Sequence, residues 1–440
     1  GAGVVERVGE GVTSLRPGDH VIALFAPECG ECAHCRSPRT NRCVAIRDQQ
    51  GLGFLPDGTA RLSRGGEPLR HFMGTSTFAE YTVMPEIALA KVSPEAPLEG
   101  CAPFACGLAT GIGAALYTAS GADPTGYAPC VLGHEGAGVV ERIGDGVSSL
   151  EPGDHVITLF APECGECVHC RSPRTNRCVA IRDQQGLGYL PDGTTRLSRD
   201  GEPMRHFMGT STFAEYTVMP EIALAKVSPE APLEGCAPFA CGLATGIGAA
   251  LYTARVEPGS TCVVFGCGLV GLGTVIGARL AGAERIVAID LSQERLEQAR
   301  HHGATDTRVA ADDTVDWIRS ETGGFGADFT FEATGNVDVM RQAVESAREA
   351  WGLATMCGVA GKGETLDVVP RFLITGRRVT GSSFGGVKGR SQVPELVDRW
   401  LAGEIDVESL LSHRLSLDDV NCGFELMEAQ DGIRSLVVFE

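Results

Sequence analysis

Two clusters of cysteines have the spacing of metal ligands. In each cluster three cysteines are separated by two residues, and a fourth follows eight residues later. The clusters are Cys29, Cys32, Cys35 and Cys43, and Cys164, Cys167, Cys170 and Cys178. Four thiolates on a tight loop complete a tetrahedral shell around Zn²⁺ and leave no open position, so the spacing predicts two structural zinc sites. The alternatives are reduced cysteines packed as small hydrophobic residues and an iron–sulfur cluster bound by the same thiolates.

A glycine-rich turn has the pattern of a dinucleotide-binding loop. The turn Gly266-Cys267-Gly268-Leu269-Val270-Gly271 directly follows the apolar run 262–265, and Asp290 ends the next apolar run, 19 residues past Gly271. The glycines let the backbone approach a pyrophosphate at a helix N-terminus, and the carboxylate accepts hydrogen bonds from the adenosine ribose. The pattern predicts a dinucleotide site, with NAD favoured over NADP because Asp290 would repel a 2′-phosphate.

A histidine and a glutamate stand together in a third glycine-rich turn. The segment Gly133-His134-Glu135 is followed by Gly138, Gly144 and Val147. Histidine and carboxylate groups are zinc ligands, but a lone His-Glu pair is more often part of a surface turn. Both interpretations stay open on this pattern alone.

Most of the segment that carries these residues is present twice. Residues 1–119 match residues 136–254 without a gap, each partner lies 135 positions further on, and ten positions differ. The unit is larger than the roughly 20–50 residues of a solenoid repeat, so it is a repeated domain segment. Short β-type runs alternate with Gly and Pro turns in both copies, as in residues 153–160 and 213–218, which favours a small antiparallel barrel.

After Ala254 the pattern changes to strands followed by helices, for example the helical run 292–302 after the strand 286–290. That alternation indicates a doubly wound parallel sheet. We therefore predict an α/β plus β protein, with a partly duplicated barrel-type catalytic domain and a Rossmann domain. The predicted boundaries are 1–119 for the first partial copy, 120–242 for the second copy, 243–385 for the NAD-binding domain and 386–440 for a return to the catalytic domain.

Composition limits the class of partner. The 440 residues carry a formal net charge of −19, so a nucleic acid or an anionic membrane is disfavoured and a small-molecule substrate is expected. The longest apolar stretch, 261–282, contains six glycines and Arg279, so we interpret it as part of the nucleotide domain and not as a membrane helix. The 17 cysteines, eight of them in metal-type clusters, favour reduced thiols in a cytoplasm.

With these motifs in place, the chain resembles the zinc-dependent medium-chain alcohol dehydrogenases, and residues 120–440 resemble their class III, glutathione-dependent formaldehyde dehydrogenase type. The turn that contains His134 and Glu135 is similar to the family's zinc signature. The other similar stretches are Ser120-Gly121-Ala122-Asp123-Pro124, Gly209-Thr210-Ser211-Thr212-Phe213, Ala240-Cys241-Gly242 and Ser383-Phe384-Gly385-Gly386. Residues 1–119 resemble the same family again, which implies a GroES-like catalytic domain in both copies.

The resemblance implies roles for individual residues. His134 and Cys241 correspond to ligands of a catalytic zinc, with Glu135 in or near the metal shell. Arg182 matches the position that attracts the anionic glutathione part of the substrate. Arg295 lies where a basic residue neighbours the cofactor ribose, and Arg434 where an arginine meets the pyrophosphate. The family also implies a homo-oligomer, a dimer or a tetramer.

The chain departs from the family at the remaining zinc ligand. The ligand cysteine aligns with Ile112 and the hydroxyl of the proton relay with Ala114, while Thr125 replaces a glutamate that helps to bind substrate. Cys106, the first-copy counterpart of Cys241, or Cys130 could replace the missing ligand, and the ordinary interpretation of both is a small buried residue.

These observations support two functions. The first is a zinc-dependent oxidoreductase that transfers hydride from an alcohol or S-(hydroxymethyl)glutathione to NAD. The second is an inactive NAD- and zinc-binding fusion or truncation product of such an enzyme. A zinc-free reductase of the same superfamily is a weaker alternative, because such proteins lack the four-cysteine cluster found here.

Overall fold

The structure is a computed structural model. It describes residues 2–24, 26–32, 35–36, 43–46, 49–50, 52–64, 67–71, 75–77, 79–96, 98, 129–361 and 363–439. The sequence features at Cys106, Ile112, Ala114 and Thr125 lie outside the described residues. The chain divides into two compact units, Gly1–Cys130 and Val131–Glu440, and each is described by itself.

The first unit is built from short antiparallel strands. Its strands are β1 (Ala2–Val4), β2 (His20–Ala23), β3 (Leu62–Arg64), β4 (Glu67–Leu69) and β5 (Leu89–Lys91). Strands β1, β2 and β5 form one sheet with β2 in the centre, and β3 pairs with β4. Val21, Ile22 and Ala23 of the central strand are buried, which is the expected result for an apolar run paired on both sides.

The second unit begins with equivalent small sheets. Its first strands are β6 (Cys130–Val131), β7 (Ala137–Val139), β8 (His155–Thr158), β9 (Leu197–Arg199), β10 (Glu202–His206) and β11 (Leu224–Lys226). One sheet has the order β11-β8-β7 with antiparallel pairs, and another has the order β6-β10-β9. The order β11-β8-β7 repeats the order β5-β2-β1 of the first unit, as the sequence repeat predicts.

A six-stranded parallel sheet follows. Its strands are β12 (Thr261–Phe265), β13 (Arg285–Asp290), β14 (Asp306–Val309), β15 (Phe329–Glu332), β16 (Leu353–Met356) and β17 (Arg378–Gly381), in the order β14-β13-β12-β15-β16-β17. All five neighbouring pairs are parallel. The order reverses between β12 and β15, which is the switch point beside which such sheets bind ligands.

Helices cover this sheet and join it to the small sheets. They are α1 (Arg182–Gln185), α2 (Leu233–Cys236), α3 (Gly242–Gly248), α4 (Leu269–Leu280), α5 (Gln293–His302), α6 (Thr314–Glu321), α7 (Val337–Ser346), α8 (Pro370–Ile374), α9 (Gly389–Leu401) and α10 (Val420–Glu428). The predicted helix 292–302 is confirmed as α5, which Ser292 caps through its side chain and Gly303 ends at a φ of 118°.

Helices α3 and α4 cross with backbone in contact with backbone. A Cβ atom added to Gly246 would lie 2.1 Å from the Val270 carbonyl oxygen, and one added to Gly277 would lie 2.6 Å from the Ile247 carbonyl oxygen. No side chain fits at these positions without moving a helix. The crossing therefore fixes the segment that carries Cys241 against the helix that follows the glycine-rich turn.

The chain's last segment packs on the second catalytic segment. Helix α9 lies beside β11, and Arg414 of strand β18 (Leu411–Leu415) pairs with Glu234 of α2 at 2.6 Å. Strand β18 pairs with β19 (Arg434–Val437) in parallel. The Trp400 ring lies over Gly235 and near the Phe239 ring, with centroids 6.1 Å apart. The predicted return of the tail to the catalytic domain, like the residue boundaries, stays a prediction.

Among the described residues, no single helix is long and apolar enough to cross a membrane. Two consecutive helical segments, Leu233–Ala240 and Gly242–Ala254, are together long and apolar enough to do so, but they are bent by 59° relative to each other.

The contact between Gly235 and Trp400 gives a test of how the tail is attached. A Cβ atom on Gly235 would lie 2.3 Å from the indole ring, so Gly235→Ala must displace the ring from its site. We expect a destabilisation of about 1–3 kcal/mol and a lower thermal unfolding midpoint. Gly138→Ala is the control, because no atom lies within 4 Å of its added Cβ. Equal midpoints for the two variants in circular dichroism would contradict this packing.

Candidate functional site

Both four-cysteine clusters have the dimensions of a zinc shell. In each cluster the four Sγ atoms lie within 4.8 Å of one another. The Sγ atoms of Cys164 and Cys170 are 3.9 Å apart, and those of Cys29 and Cys35 are 3.8 Å apart. A tetrahedral shell with Zn–S bonds of about 2.3 Å separates its sulfur atoms by about 3.8 Å. The geometry therefore fits the predicted structural zinc sites.

The loop backbone favours the thiolate form of one cysteine in each cluster, while burial raises the pKa of Cys170 and of Cys35 to about 12. The amide N–H groups of Val179 and Cys170 donate to Cys167 and lower the pKa of its thiol to about 6. Val44 and Cys35 do the same for Cys32, whose pKa is also about 6. Hydrogen bonds to the thiolate favour the charged form, which is the form that binds Zn²⁺. The two clusters share this feature because their sequences are almost identical.

The glycine-rich turn has the shape that a pyrophosphate requires. Helix α4 begins at Leu269, directly after Gly268, so its free N–H groups point at the turn. Gly266 has a φ of 89°, and a Cβ added to Gly271 would lie 1.7 Å from the Gly266 carbonyl oxygen. Only glycine fits at these two positions. Val270 is the second residue of the helix, within its first turn.

Asp290 lies at the end of β13 beside this turn. Its Oδ2 accepts a hydrogen bond from the Cys267 amide at 2.6 Å, and its Oδ1 accepts one from the Ser292 amide at 2.8 Å. The carboxylate therefore ties the glycine-rich turn to the start of α5. Arg295, on α5, donates to the Gln430 carbonyl oxygen at 3.3 Å. Whether the two side chains contact a ribose stays a prediction.

Threonine side chains hold the loop that carries His134 and Glu135. The Thr210 hydroxyl donates to the Gly133 carbonyl oxygen at 3.0 Å, and the Thr212 hydroxyl donates to that of Glu135 at 2.8 Å. Gly133 has a φ of 91°, and an added Cβ would lie 2.5 Å from the Thr212 hydroxyl oxygen. The segment 209–213, singled out in the sequence for its resemblance, thus positions the His-Glu pair.

The structure brings Cys241 to the same place. Cys241 directly precedes α3, and its sulfur lies with a nitrogen of His134 and a carboxylate oxygen of Glu135 inside a cluster 4.8 Å across. Burial lowers the pKa of His134, so its imidazole stays neutral and able to bind a metal. Burial, with the Glu135 charge second, raises the pKa of Cys241 to about 12. A buried thiol of this kind ionises when a cation binds beside it.

Glu135 is also bound by the protein. Its Oε1 accepts from the Gly242 amide at 3.2 Å and lies 3.3 Å from an Arg434 guanidinium nitrogen. The Arg434 Nε atom is buried and has no hydrogen-bond partner among the described residues. A buried guanidinium N–H group without a partner fits an anionic ligand, and binding such a ligand is the role predicted for Arg434.

Aromatic rings line one side of the donor set. The His134 ring meets Phe160 edge-on at 5.6 Å and lies 6.1 Å from Phe207, and Phe160 meets Phe384 at 5.1 Å. These rings exclude water from one side of the three donors. Arg182 is the first residue of α1 and is exposed.

Sequence reasoning missed one buried acid at the cofactor edge. Glu332 ends β15, is fully buried, and accepts hydrogen bonds through Oε1 from the amides of Thr334 and Gly335. The Thr334 methyl group in turn lies against Gly266. The signal was an acid followed by Ala-Thr-Gly at a strand end, which resembles many ordinary turns. Glu332 therefore fixes the loop that faces the glycine-rich turn.

A doubly wound sheet with this turn, beside a His–Glu–Cys donor set, defines a metal- and dinucleotide-dependent oxidoreductase. Family models agree with that class. The model described as "Zinc-binding dehydrogenase" matches residues 270–402, and the model described as "Alcohol dehydrogenase GroES-like domain" matches residues 1–94 and 109–229.

Known proteins are similar over most of the chain. S-(hydroxymethyl)glutathione dehydrogenases of Escherichia coli O1:K1 / APEC and Shigella sonnei (strain Ss046) are 50% identical over 323 residues, 73% of this chain and 88% of theirs. The structure of an "Alcohol dehydrogenase zinc-binding domain protein" from Burkholderia ambifaria has a TM-score of 0.68 at 32% identity, over 73% of this chain and 87% of its own. Benzyl alcohol dehydrogenase from Acinetobacter calcoaceticus has a TM-score of 0.65 at 28% identity, over 71% and 84%. The chain belongs to the zinc-type alcohol dehydrogenase family.

The two cysteine clusters predict a zinc content. We expect at least two zinc ions per chain, because both clusters close a four-sulfur shell. Elemental analysis of the purified protein measures this directly, and a value well below two would contradict the assignment. Cys170→Ser should lose one zinc ion and unfold its own loop, since a structural zinc contributes folding free energy.

Asp290 predicts the choice of cofactor. We expect tighter binding of NAD than of NADP in calorimetric titration, because the carboxylate is predicted to face the adenosine ribose, where a 2′-phosphate would bring a second negative charge. Asp290→Ala should narrow the difference between the two affinities. The variant also removes the acceptor of the Cys267 amide, so both affinities should fall somewhat. Tighter NADP binding by the parent would refute the assignment.

Proposed function

We propose that this chain is a zinc-dependent oxidoreductase that transfers hydride from an alcohol, S-(hydroxymethyl)glutathione in particular, to NAD. The observation that carries the proposal is the cluster of His134, Glu135 and Cys241 in one unit with the glycine-rich turn. The 50% identity to S-(hydroxymethyl)glutathione dehydrogenases supports the substrate.

His134 and Cys241 would hold the catalytic zinc, with Glu135 as the nearest further donor. When bound, zinc supplies Lewis-acid chemistry that makes a substrate hydroxyl easier to deprotonate, and NAD accepts the hydride. The His134 imidazole would offer a nitrogen lone pair to the ion, and the Cys241 sulfur would bind it as a thiolate, its proton passing to solvent. The rings of Phe160 and Phe207, which both lie near the His134 ring, would keep water from one side of the donors.

Other side chains would bind and orient the two substrates. Arg182, exposed at the start of α1, supplies a positive charge for the carboxylates of a glutathione adduct. Gly266, Gly268 and Gly271 would let the N-terminus of α4 meet the pyrophosphate, and the orphaned Nε of Arg434 would pair with it. Asp290 and Arg295 would contact the adenosine ribose.

We place this reaction in the cytoplasm, where the thiols of both zinc clusters stay reduced, and in a homo-oligomer. Support for self-association comes from the end of the six-stranded sheet. Strand β17 is its last strand, and on the adjoining helix α8 Ile374 is 82% exposed and Leu373 is 48% exposed. An apolar surface beside a strand edge is typical of protein–protein contacts.

The missing cysteine predicts a slow enzyme. Zinc in an open site needs three protein ligands, and the third donor here, Glu135, is shared with Arg434 and the Gly242 amide. We expect slow or no NADH production from S-(hydroxymethyl)glutathione or long-chain primary alcohols. Ile112→Cys with Ala114→Thr should raise the rate by at least about tenfold, because it restores the family's ligand and hydroxyl.

Two outcomes at saturating substrate would change this account. In the first outcome the parent turns over substrate rapidly, Cys106→Ser abolishes that turnover, and Cys130→Ser does not. This outcome would make Cys106 the third zinc ligand. No turnover by the parent or the double variant, with NAD binding intact, would favour a non-catalytic protein.

The exposed surface of α8 predicts the effect of a single charge. Ile374→Asp should shift the chain toward the monomer in light scattering, because a buried unpaired carboxylate disfavours an apolar interface. Val139→Asp is the control, since Val139 is also exposed, at 50%, but lies on β7 in a different sheet. A parent that is monomeric at high concentration would refute the oligomer.

A further inference from the structure

The two four-cysteine clusters have the same ligands but different surroundings. We call residues 29–43 the first lobe and residues 164–178 the second lobe. Their sequences differ at one position, where the first lobe has Ala33 and the second has Val168. A difference in behaviour between the lobes must therefore arise mainly from what lies against them.

A segment of the chain covers the second lobe. The Lys388 ammonium donates to the Cys170 carbonyl oxygen at 2.6 Å. The Asn176 amide donates to the carbonyl oxygens of Ser383 and Val387, at 2.8 and 3.1 Å. Cys170 and Asn176 are both buried. Three hydrogen bonds must break before this part of the lobe can open.

The covering segment also brings a positive charge. Four thiolates around one Zn²⁺ have a net charge of −2, and the Lys388 ammonium lies beside the backbone of one of the ligands. In a partly buried setting such a charge is attracted to the cluster more strongly than it would be in water. Loss of zinc from the second lobe is disfavoured for this second reason.

Several described residues of the first copy are more exposed than their counterparts in the second, although Cys43 and Cys178 are equally buried. Cys170 is buried, whereas its counterpart Cys35 is partly exposed. The difference extends over the adjoining apolar face. Leu159, Ala225 and Val227 are at most 5% exposed. Their counterparts Leu24, Ala90 and Val92 are all partly exposed.

We propose that the first lobe is the exchangeable zinc site of this chain, from which the ion passes to a competing chelator. The proposal rests on the proposed function only in that both lobes hold zinc. Zinc leaves a four-thiolate shell when local opening lets an incoming ligand reach it. The chelator's donor atoms replace the four sulfur atoms, each released thiolate takes a proton from water when the pH is below its pKa, and no electron is transferred.

The experiment uses the full chain loaded with zinc, in a Cys241→Ser background that weakens the third metal site. The protein is mixed with excess 4-(2-pyridylazo)resorcinol, and the absorbance of the dye–zinc complex is followed over time. We expect two phases of equal amplitude, with the second at least about tenfold slower, because three hydrogen bonds oppose its opening. A single phase would overturn the proposal.

Variants assign the two phases. Cys29→Ser should remove the fast phase, and Asn176→Ala or Lys388→Gln should accelerate only the slow phase. Lys91→Gln is the matched control, because it removes the same charge from a partly exposed ion pair with Asp19 in the first copy. If Lys388→Gln and Asn176→Ala leave the slow phase unchanged, the covering segment does not hold the second lobe closed, and the proposal fails.

Alkylation gives a readout that needs no variant. Iodoacetamide is added during zinc release, and the modified peptides are identified by mass, since Ala33 and Val168 distinguish the lobes. The first lobe should be alkylated in the fast phase. Earlier alkylation of the second lobe would overturn the proposal. If the two lobes release their zinc ions at equal rates, only this inference fails. If the lobes hold fewer than two zinc ions before the chelator is added, the assignment of zinc to both lobes fails as well.

Discussion

The close crossing of α3 and α4 is the contact on which the site depends. Cys241 lies just before α3, and the glycine-rich turn lies just before α4. Because Gly246 meets the Val270 carbonyl with no side chain between them, the N-termini of the two helices are held in one arrangement. The metal donor and the cofactor turn are therefore parts of one rigid assembly. The hydrogen bond from the Gly242 amide to Glu135 joins this carboxylate, a further candidate metal donor, to the same assembly.

The repeat shows how far environment modifies identical sequence. Both lobes receive the same backbone hydrogen bonds, which lower the pKa values of Cys32 and Cys167 alike. Their surroundings differ, because Lys388 and Asn176 tie only the second lobe to the segment before α9 among the described contacts. Local sequence thus determines whether a lobe can bind zinc, while tertiary contacts determine how easily it opens.

Local patterns predicted much of the fold. Short sequence patterns predicted the glycine-rich turn, the place of Asp290 at a strand end and helix α5. They could do so because a strand, a tight turn and a helix cap are each encoded within a few residues. The parallel sheet followed from the alternation of strands and helices. The cysteine clusters were likewise predicted from the spacing of neighbouring residues, and the structure gives both of them the dimensions of a zinc shell.

The candidate metal donor set could not be derived from local patterns. His134 and Cys241 are far apart in the sequence, and only the family resemblance joined them before the structure brought them together. The Arg434 contact with Glu135 and the buried Glu332 were not visible in any pattern, because they depend on which loops meet at the sheet edge. The role of Ile112 rests on the resemblance alone.

The most direct test of the central contact is the NAD affinity of Gly246→Ala, measured by calorimetry at a temperature where circular dichroism shows the variant folded. The account predicts binding at least about tenfold weaker, because the added Cβ must push the start of α4 away from α3. Gly138→Ala, whose added Cβ meets nothing within 4 Å, should bind NAD like the parent. A folded Gly246→Ala protein with unchanged NAD affinity would contradict the account.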